Sequence, residues 1–469
     1  MKLATLLLAA ATLLSAQSSI YFQTDFPAEE FQTRWNKIYA SIGPNAIALI
    51  QGAASEGGFT YPRQSNEFYY LSGIETPHSY LLLDARTRTS TLFLPPRNRR
   101  LEQSEGRVLS ADDVDLARRL TGASNILSTT AMQGEWLGAQ PPAVIYTMLT
   151  PAEGGTDQRN ELLARNTNIS LDPWDGRVSR EHHLAGLLRN RYPRVKVEDL
   201  TPVLDLLRSL KSPREIALIK KASQIAAWGL IEAMKSTRPG LFEYHLDAAA
   251  RYQYLINGSR LEGYRSIVGA GTANIWNGHY FRNNSKLKPG DLILLDFAPD
   301  YHYYTSDITR MWPVSGKFSG VQRELLGFVL EYRDVVISKV RPGVTTKQIL
   351  QESATAMEPV FLRWKFSKPV YEKAAHILVE TGGGVLSHPV GLAVHDDGPY
   401  TRGPLEVGHV FSIDPQLRVP EENLYIRYED VVVVTPTGCE NFTGFLASKL
   451  EDIEKLVGAN GILQQFPPH

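Results

Sequence analysis

The chain has 469 residues, with 49 Lys plus Arg against 50 Asp plus Glu, so its net charge is close to zero. That balance gives no electrostatic case for nucleic acid or an anionic membrane surface as a partner. Its one cysteine, Cys439, excludes an intramolecular disulfide framework, so stability must come from ordinary cores, spread over about two or three domains at this length.

The opening residues, MKLATLLLAAATLLSAQSS, place one lysine before an apolar run from Leu3 to Leu14 and small residues ending at Ala16. This pattern predicts a secretory signal peptide over residues 1–16, cut to leave Gln17, and hence a secreted or periplasmic protein. The run is too short for a membrane span and no later stretch is apolar for long enough, so no membrane partner is expected.

From Asn45, NAIALIQGAA reads as a buried strand. SYLLLDA (79–85) and STLFLPP (90–96), joined by the polar RTRT, predict a hairpin. The segments Arg107 to Leu120 and Glu181 to Arg191 read as helical or mixed. Residues 17–205 therefore form an α/β domain, and no GxGxxG follows a strand in it, so no dinucleotide fingerprint is present.

The start of the next domain is marked by a helix cap. Ser212 at N-cap, Pro213 at N1 and Glu215 at N3 predict a capping box and an amphipathic helix to about Lys235. KSTRPGL then turns the chain into a second helix, about Glu243 to Leu255. Ser319 with Gln322, and Thr345 with Gln348, are two further capping boxes that open a third and a fourth helix. Strands lie between and after these helices, so residues 206–456 read as α+β with an extended antiparallel sheet, followed by a tail over 457–469.

The chemistry concentrates in KPGDLILLDFAPDYHYYTSDITRMWP, Lys288 to Pro313. Two β-prone runs, Asp291 to Phe297 and Tyr303 to Met311, each enclose an acid. A hairpin turning at Tyr301 and His302 sets Asp296 directly opposite Asp307, with Cβ atoms about 4.5–5.5 Å apart. Such a spacing repels two bare carboxylates but suits two that bridge divalent metals about 3.5–4 Å apart.

A second pairing follows in GHVFSIDPQLRVPEENLYIRYEDVVVVTPTG. Runs Val410 to Leu417 and Leu424 to Val434 flank a Pro-Glu-Glu-Asn turn. Centring that hairpin between Glu421 and Glu422 puts Asp414 opposite Glu429, with Arg427 on the same face. Pro415 marks where a bulge would break the register. Histidines lie nearby in sequence: His388 and His395 in the glycine-rich TGGGVLSHPVGLAVHDDG, and His279 in NGHYF. They offer neutral ligands and proton carriers near neutral pH.

Taken singly, Asp296 reads as a strand-edge or register device, His388 as a hydrogen-bonded structural histidine, and Arg427 as a same-face ion partner of Glu429. Taken together, two hairpins that each oppose acids have no structural use that offsets burying unpaired charge. The combined reading is a dinuclear site of oxygen-rich ligation. It suits Mn(II), or Zn(II) or Co(II) if a histidine joins the ligands.

KSPREI, GYRSIVGAG, GHY, the Lys288 stretch continued to VSGKFSGVQREL, SHPVGLAVHDDG and IRYEDVVVVTPTG together resemble the pita-bread metallopeptidases, the group that contains methionyl aminopeptidase, aminopeptidase P, prolidase and creatinase. The resemblance spans about Leu206 to Ile453. Upstream, YPRQSNEFYYLSGIETPHSYLLLDARTRTSTLFLPPRNRRLEQSEG is similar to the N-terminal domain of aminopeptidase P and prolidase, which methionyl aminopeptidases lack. The resemblance implies a curved antiparallel sheet with pseudo-twofold helices. It also implies two divalent metal ions, most simply Mn(II), on Asp296, Asp307, His388, Asp414 and Glu429, and a metal-bridging water that attacks the bond before proline. By the same resemblance, His279 and His395 stabilise the tetrahedral intermediate and shuttle protons, Arg427 orients them and the substrate, and Asp414 matches the acid/base for the water. The implied activity is Xaa-Pro aminopeptidase, with prolidase action on Xaa-Pro dipeptides or a non-catalytic peptide-binding role as the alternatives. The implied partners are a peptide substrate and further copies of the chain in a homo-dimer or tetramer.

Two positions depart from the family pattern. Asp414-Pro415-Gln416 stands where the family has Glu-Pro-Gly, and Asp296-Phe297-Ala298 where it has Asp-Ala-Gly. Asp414 is one methylene short of the family Glu, and Phe297 and Gln416 are expected to narrow the substrate pocket.

Overall fold

The strand β1 (Ala46–Gln51) is buried along nearly its whole length and becomes the centre of a mixed sheet. With β2 (Tyr80–Asp84), β3 (Thr89–Leu94), β4 (Asn125–Ser128), β5 (Val144–Thr147) and β6 (Lys196–Asp199), the order is β4-β3-β2-β1-β5-β6. β2 and β3 form the expected hairpin, and β5 runs parallel to β1, which requires a crossover. Ile47, Leu49, Leu82, Phe93 and Ile145 from the sheet close over Leu188 of the helix Arg180–Arg191 and over Val195. The computed structural model describes residues 23, 25–55, 58, 60–133 and 141–468; the expected signal peptide, residues 1–16, lies outside the described residues. The chain divides into two compact units, Met1–Leu207 and Arg208–His469.

The helix expected from Arg107 begins late, at Val114. Asp113 is the reason. Its carboxylate accepts from the Ser110 backbone N–H at 3.1 Å and from Ser110 Oγ at 2.8 Å. That local bonding gives the backbone an alternative to the helix over the preceding turn.

In the second unit the capping boxes at Ser212, Ser319 and Thr345 all form, and they open the helices Pro213–Ser236, Gly320–Lys339 and Thr346–Arg363. The helix Glu243–Ile256 follows the first of these. A helix not expected from the sequence, Pro369–Thr381, carries its own signals: proline at its start and Gly382 in a left-handed conformation at its end. The strands are all antiparallel. β7 (Leu261–Ala270), β8 (Leu292–Asp300) and β9 (Ile308–Pro313) form one sheet. β10 (Leu386–Pro389), β11 (Val410–Ile413), β14 (Asp430–Thr435) and β15 (Gly438–Asn441) form a second, and β12 (Gln416–Val419) pairs with β13 (Leu424–Arg427).

The first acidic hairpin differs from expectation. Asp296 lies opposite Thr309, not Asp307. The turn is centred between His302 and Tyr303, whose φ values are 52° and 75°, while Tyr301 and Tyr304 exchange backbone hydrogen bonds at 2.8 and 3.1 Å. Two successive left-handed residues make a tight turn that suits hairpin twist, usually signalled by Asn-Gly or Asp-Gly, which this stretch lacks. Moving the turn centre by one residue moves every partner by two, so the acids stay on one face. Asp296 and Asp307 become diagonal neighbours, about 7–8 Å apart at Cα instead of directly opposed.

The second hairpin keeps its expected register, with Gln416 opposite Arg427 and Ile413 opposite Asp430. Between those two ladders the pairing stops. Pro415 has no N–H to give; Asp414 N donates to Val385 O at 2.8 Å, and Glu429 N donates to Thr309 O at 3.1 Å. The two acids therefore sit at a break where one ribbon hands its backbone bonds to its neighbours.

Gly263 lies at a register shift in β7, between Glu262 and Tyr264. A Cβ there would stand 2.3 Å from Val394 Cγ2 and 2.9 Å from Thr305 Cγ2. Gly263→Ala is expected to destabilise the second unit by about 1–3 kcal/mol, as overpacking does. Thermal and urea denaturation check this, and an unchanged midpoint would contradict the close packing.

Candidate metal centre

β8, β9, β10 and the broken ribbon each deliver one or two polar side chains to a common point. Asp296 sits inside β8, Asp307 just before β9, His388 in β10, His395 in the segment after it, and Asp414 and Glu429 at the ribbon break. Asp296 is 2% exposed and Glu429 0%, so these charges are taken out of water. Two groups of side chains bring candidate ligand atoms within 4.8 Å of one another: Asp296, Asp307 and Glu429, and Asp307, His388 and His395. Asp307 belongs to both.

Arg427 lies among the acids. Its Nε donates to Asp414 Oδ1 at 2.8 Å, its Nη2 to Glu429 Oε2 at 2.6 Å, and its Nη1 to Asp296 Oδ2. Tyr264, which the sequence reading overlooked, donates from one hydroxyl to Asp296 Oδ1 at 2.6 Å or Asp307 Oδ1 at 2.7 Å. Thr309, also overlooked, donates to Glu429 Oε2 at 3.0 Å. Strand alternation from Asp307 points to Thr309. Nothing in the sequence marks the register shifts in β7 that precede and follow Tyr264.

The expected site residues are not placed alike. His388 Nδ1 donates to Pro389 O at 3.0 Å, and its Nε2 stands 3.2 Å from Asp307 Oδ2 and 3.8 Å from Glu429 Oε1. His395 faces the same point, with Nε2 3.9 Å from Asp307 Oδ2 and its side chain 34% exposed. His279 lies in an exposed bend after the helix Gly271–Trp276, close enough for its charge to depress the proton affinity of His395 but outside both groups. Asp414 is also outside both groups. Gln416 Nε2 donates to its Oδ2 and Arg427 Nε to its Oδ1.

The expectation for Phe297 fails, because alternation along β8 sends it to the face opposite Asp296. There it is fully buried, packed on the Tyr254 ring at 5.0 Å and over Gly229. It belongs to the helix-facing core and does not narrow the site.

Proton affinities diverge within this small volume. Burial raises the Asp296 carboxyl, but Arg427 and the Tyr264 and Thr309 hydrogen bonds outweigh it and hold it low. Burial and the Asp296 charge push Asp307 up, and burial pushes Glu429 well up. Burial disfavours a charged His388, yet Asp307 more than compensates and raises it. His395 is pushed down to about 3 by burial and by the charge of His388, so its imidazole is neutral at physiological pH.

Two atoms test whether a cation fits. His388 Nε2 and Glu429 Oε1 are buried without a hydrogen-bond partner and lie 3.8 Å apart, and His388 Nε2 stands 3.2 Å from Asp307 Oδ2. Orphaned buried acceptors are costly, and a divalent ion is a group that several acceptors can share. Three carboxylates and two imidazoles form a donor set that a divalent metal accepts.

Residues 217–436 match metallopeptidase family M24, and residues 31–146 match the aminopeptidase P N-terminal domain. Fold and site thus define the class: the chain belongs to the M24 metallopeptidases, with the mixed α+β pita-bread architecture behind a creatinase-type N-terminal domain. Among its relatives, it is 30% identical to the Xaa-Pro aminopeptidase of Escherichia coli strain K12, over 93% of this chain and 99% of that one. It is 28% identical to the mitochondrial intermediate cleaving peptidase 55 of Arabidopsis thaliana, over 92% and 83% of the two chains. The solved structure of aminopeptidase P from E. coli with the inhibitor Pro-Leu superposes with a TM-score of 0.73 at 28% identity, covering 93% of this chain and 99% of that one.

Replacing Arg427 by Met should destabilise the metal-free protein by roughly 3–5 kcal/mol near pH 8, because it strands buried carboxylates. The sign of the pH dependence follows from Arg427 lowering Asp296 and Glu429. Without it both folded pKa values rise, Glu429 further above its unfolded value and Asp296 up from below its own, so the folded state binds more protons and the deficit shrinks as pH falls toward about 4. Urea denaturation of chelator-treated protein between pH 4 and 8 measures this. A deficit that does not change with pH would contradict it.

Proposed function

We propose that this protein is a metal-dependent exopeptidase that removes the N-terminal residue from peptides with proline in second position. The observation that carries the reading is the pair of ligand-type groups sharing Asp307, with His388 Nε2 and Glu429 Oε1 3.8 Å apart and both buried without a hydrogen-bond partner. The relatives named above supply the substrate class, and proline supplies its logic. Its amide has no N–H and its φ is fixed, so an ordinary peptide site fits it badly.

Asp296, Asp307, His388 and Glu429 would hold two divalent cations, with Mn(II) the best match to the oxygen-rich donors and Zn(II) or Co(II) next. When bound, the cations supply Lewis acidity that polarises the scissile carbonyl and makes water a nucleophile near neutral pH. The chain's own residues do the rest. Tyr264, Thr309 and Arg427 fix the carboxylates so that they do not reorganise during the reaction. His395, neutral and partly exposed, hydrogen-bonds the oxygen that gains charge as the carbonyl becomes tetrahedral, and His279 at the exposed bend exchanges the proton with solvent. The pattern of residues 1–16 supports action outside the cytoplasm. No helix among the described residues is long and apolar enough to cross a membrane. The reading includes assembly with further copies of the chain.

With Mn(II), the purified protein should release Xaa from Xaa-Pro-Yaa peptides, stop on chelation and recover when metal is restored. Asp307→Asn should lower kcat/KM by about a hundredfold or more, since it removes the ligand common to both groups. Cleavage confined to Xaa-Pro dipeptides would make the protein a prolidase, and peptide binding without cleavage would make it a non-catalytic module.

A further inference from the structure

The ribbon that brings Arg427 to the acids continues outward on the same face. Gln416 lies opposite Arg427 and Arg418 opposite Tyr425, so strand alternation puts these four side chains on one side of it. Burial pushes the Tyr425 phenol up, and the charges of Arg427, Asp414, Arg418 and Asp296 all act on it, so this face is continuous with the metal centre.

Arg418 is exposed where the acids are buried. Its guanidinium lies over the Tyr425 ring at 3.9 Å and the Trp276 ring at 5.5 Å, which fixes its plane. Its Nη1 donates to Trp276 O only at 3.5 Å, and among the described residues no carboxylate pairs with it. Most of the five N–H donors at its edge are thus uncommitted. Gly278, beside His279, comes so near that a Cβ there would stand 3.5 Å from Arg418 Nη2. Arg418 and His279 therefore share one exposed rim. A bracket that only shielded Tyr425 from solvent would have no need of charge.

A peptide whose scissile carbonyl meets the acids has to leave toward the exposed side, where His395, His279 and Arg418 lie. Two strand residues separate Gln416, whose amide touches Asp414, from Arg418, a span of about 7 Å. An extended substrate covers about the same 7 Å from the residue before proline to the residue after it.

We propose that Arg418 is a specificity-determining residue that binds a carboxylate on the residue following proline, either an acidic side chain or the end of a short peptide. The inference rests on the exopeptidase reading above and names the substrates it favours. A guanidinium whose plane is set by two rings presents parallel N–H groups that match both oxygens of a carboxylate.

The test compares Ala-Pro-Glu amide, Ala-Pro-Gln with a free C-terminus, and Ala-Pro-Gln amide, which has neither carboxylate, on the protein supplied with Mn(II). At least one carboxylate peptide should show kcat/KM about fivefold above the neutral amide, chiefly through a lower KM, as an ion pair at a half-open surface gives. A gain for the Glu amide marks the side chain as the source, and a gain for the free acid marks the chain end. Arg418→Gln should bring the ratio to about one, and Arg418→Glu should turn the preference toward Ala-Pro-Lys amide. Raising salt from about 0.05 to about 0.5 M should shrink the native ratio. A native ratio near one for both carboxylate peptides would overturn the proposal, as would a ratio that survives Arg418→Gln. Should the variants fail to fold, the native ratio and its salt dependence decide. Absence of cleavage of every peptide would instead overturn the exopeptidase reading, and calorimetric binding of the same peptides to native protein and to Arg418→Gln then decides the role of Arg418.

Discussion

Asp296, Asp307, Asp414 and Glu429 are brought out of water at one place, and the Arg427 guanidinium donates to three of them. One positive charge cannot neutralise four negative ones, so the remainder must be absorbed by protons or by cations. The diverging proton affinities express this: Asp296, beside the arginine, stays low, while Asp307 and Glu429 are pushed up. A divalent ion does the same work as those protons and makes better use of the orphaned acceptors on His388 and Glu429.

Holding like charges together demands a scaffold that cannot relax, and other buried ions provide it. Behind Glu429, Asp430 is paired with Arg310 and Arg333, and both guanidiniums lie over the Tyr428 ring, at 4.0 and 4.7 Å from its centroid. Arg310 also donates to the Glu429 carbonyl, so the backbone of the ligand is held from the rear. Behind His395, Asp396 is gripped by Arg208 and by Lys211 at 2.9 Å, all three side chains 1% exposed. Such clusters add little net stability, but losing any one partner strands a charge, so each fixes the segment it anchors. Rigid support of this kind is what a preorganised site requires.

The two departures from the family pattern have different physical weight. Phe297 changes only the helix-facing core, since a side chain one position from Asp296 on a strand points the other way. Asp414 and Gln416 are two positions apart on one face and touch each other. Gly384, at φ +75°, leaves space for the glutamine amide, since a Cβ there would stand 3.4 Å from Gln416 Nε2.

Local chemistry made much of this protein legible from its residues. Capping boxes at Ser212, Ser319 and Thr345 set helix starts because both partners lie within four residues of one another. The pairing sum of the second hairpin followed from its turn, and so did the common face of Asp414, Arg427 and Glu429. Strand parity also kept Asp296 and Asp307 on one side even though their turn was misplaced, because His302 and Tyr303 adopt left-handed conformations that their residue types do not announce. What the sequence alone determined was therefore the set of charged groups and the faces they share. Tertiary structure decided which of them meet. Tyr264, Thr309 and His388 reach the acids across backbone bonds between distant segments, such as Glu429 N to Thr309 O and Asp414 N to Val385 O. Those bonds depend on where a ladder breaks, and a break is settled by the competing demands of every neighbouring strand, which no short stretch of residues encodes.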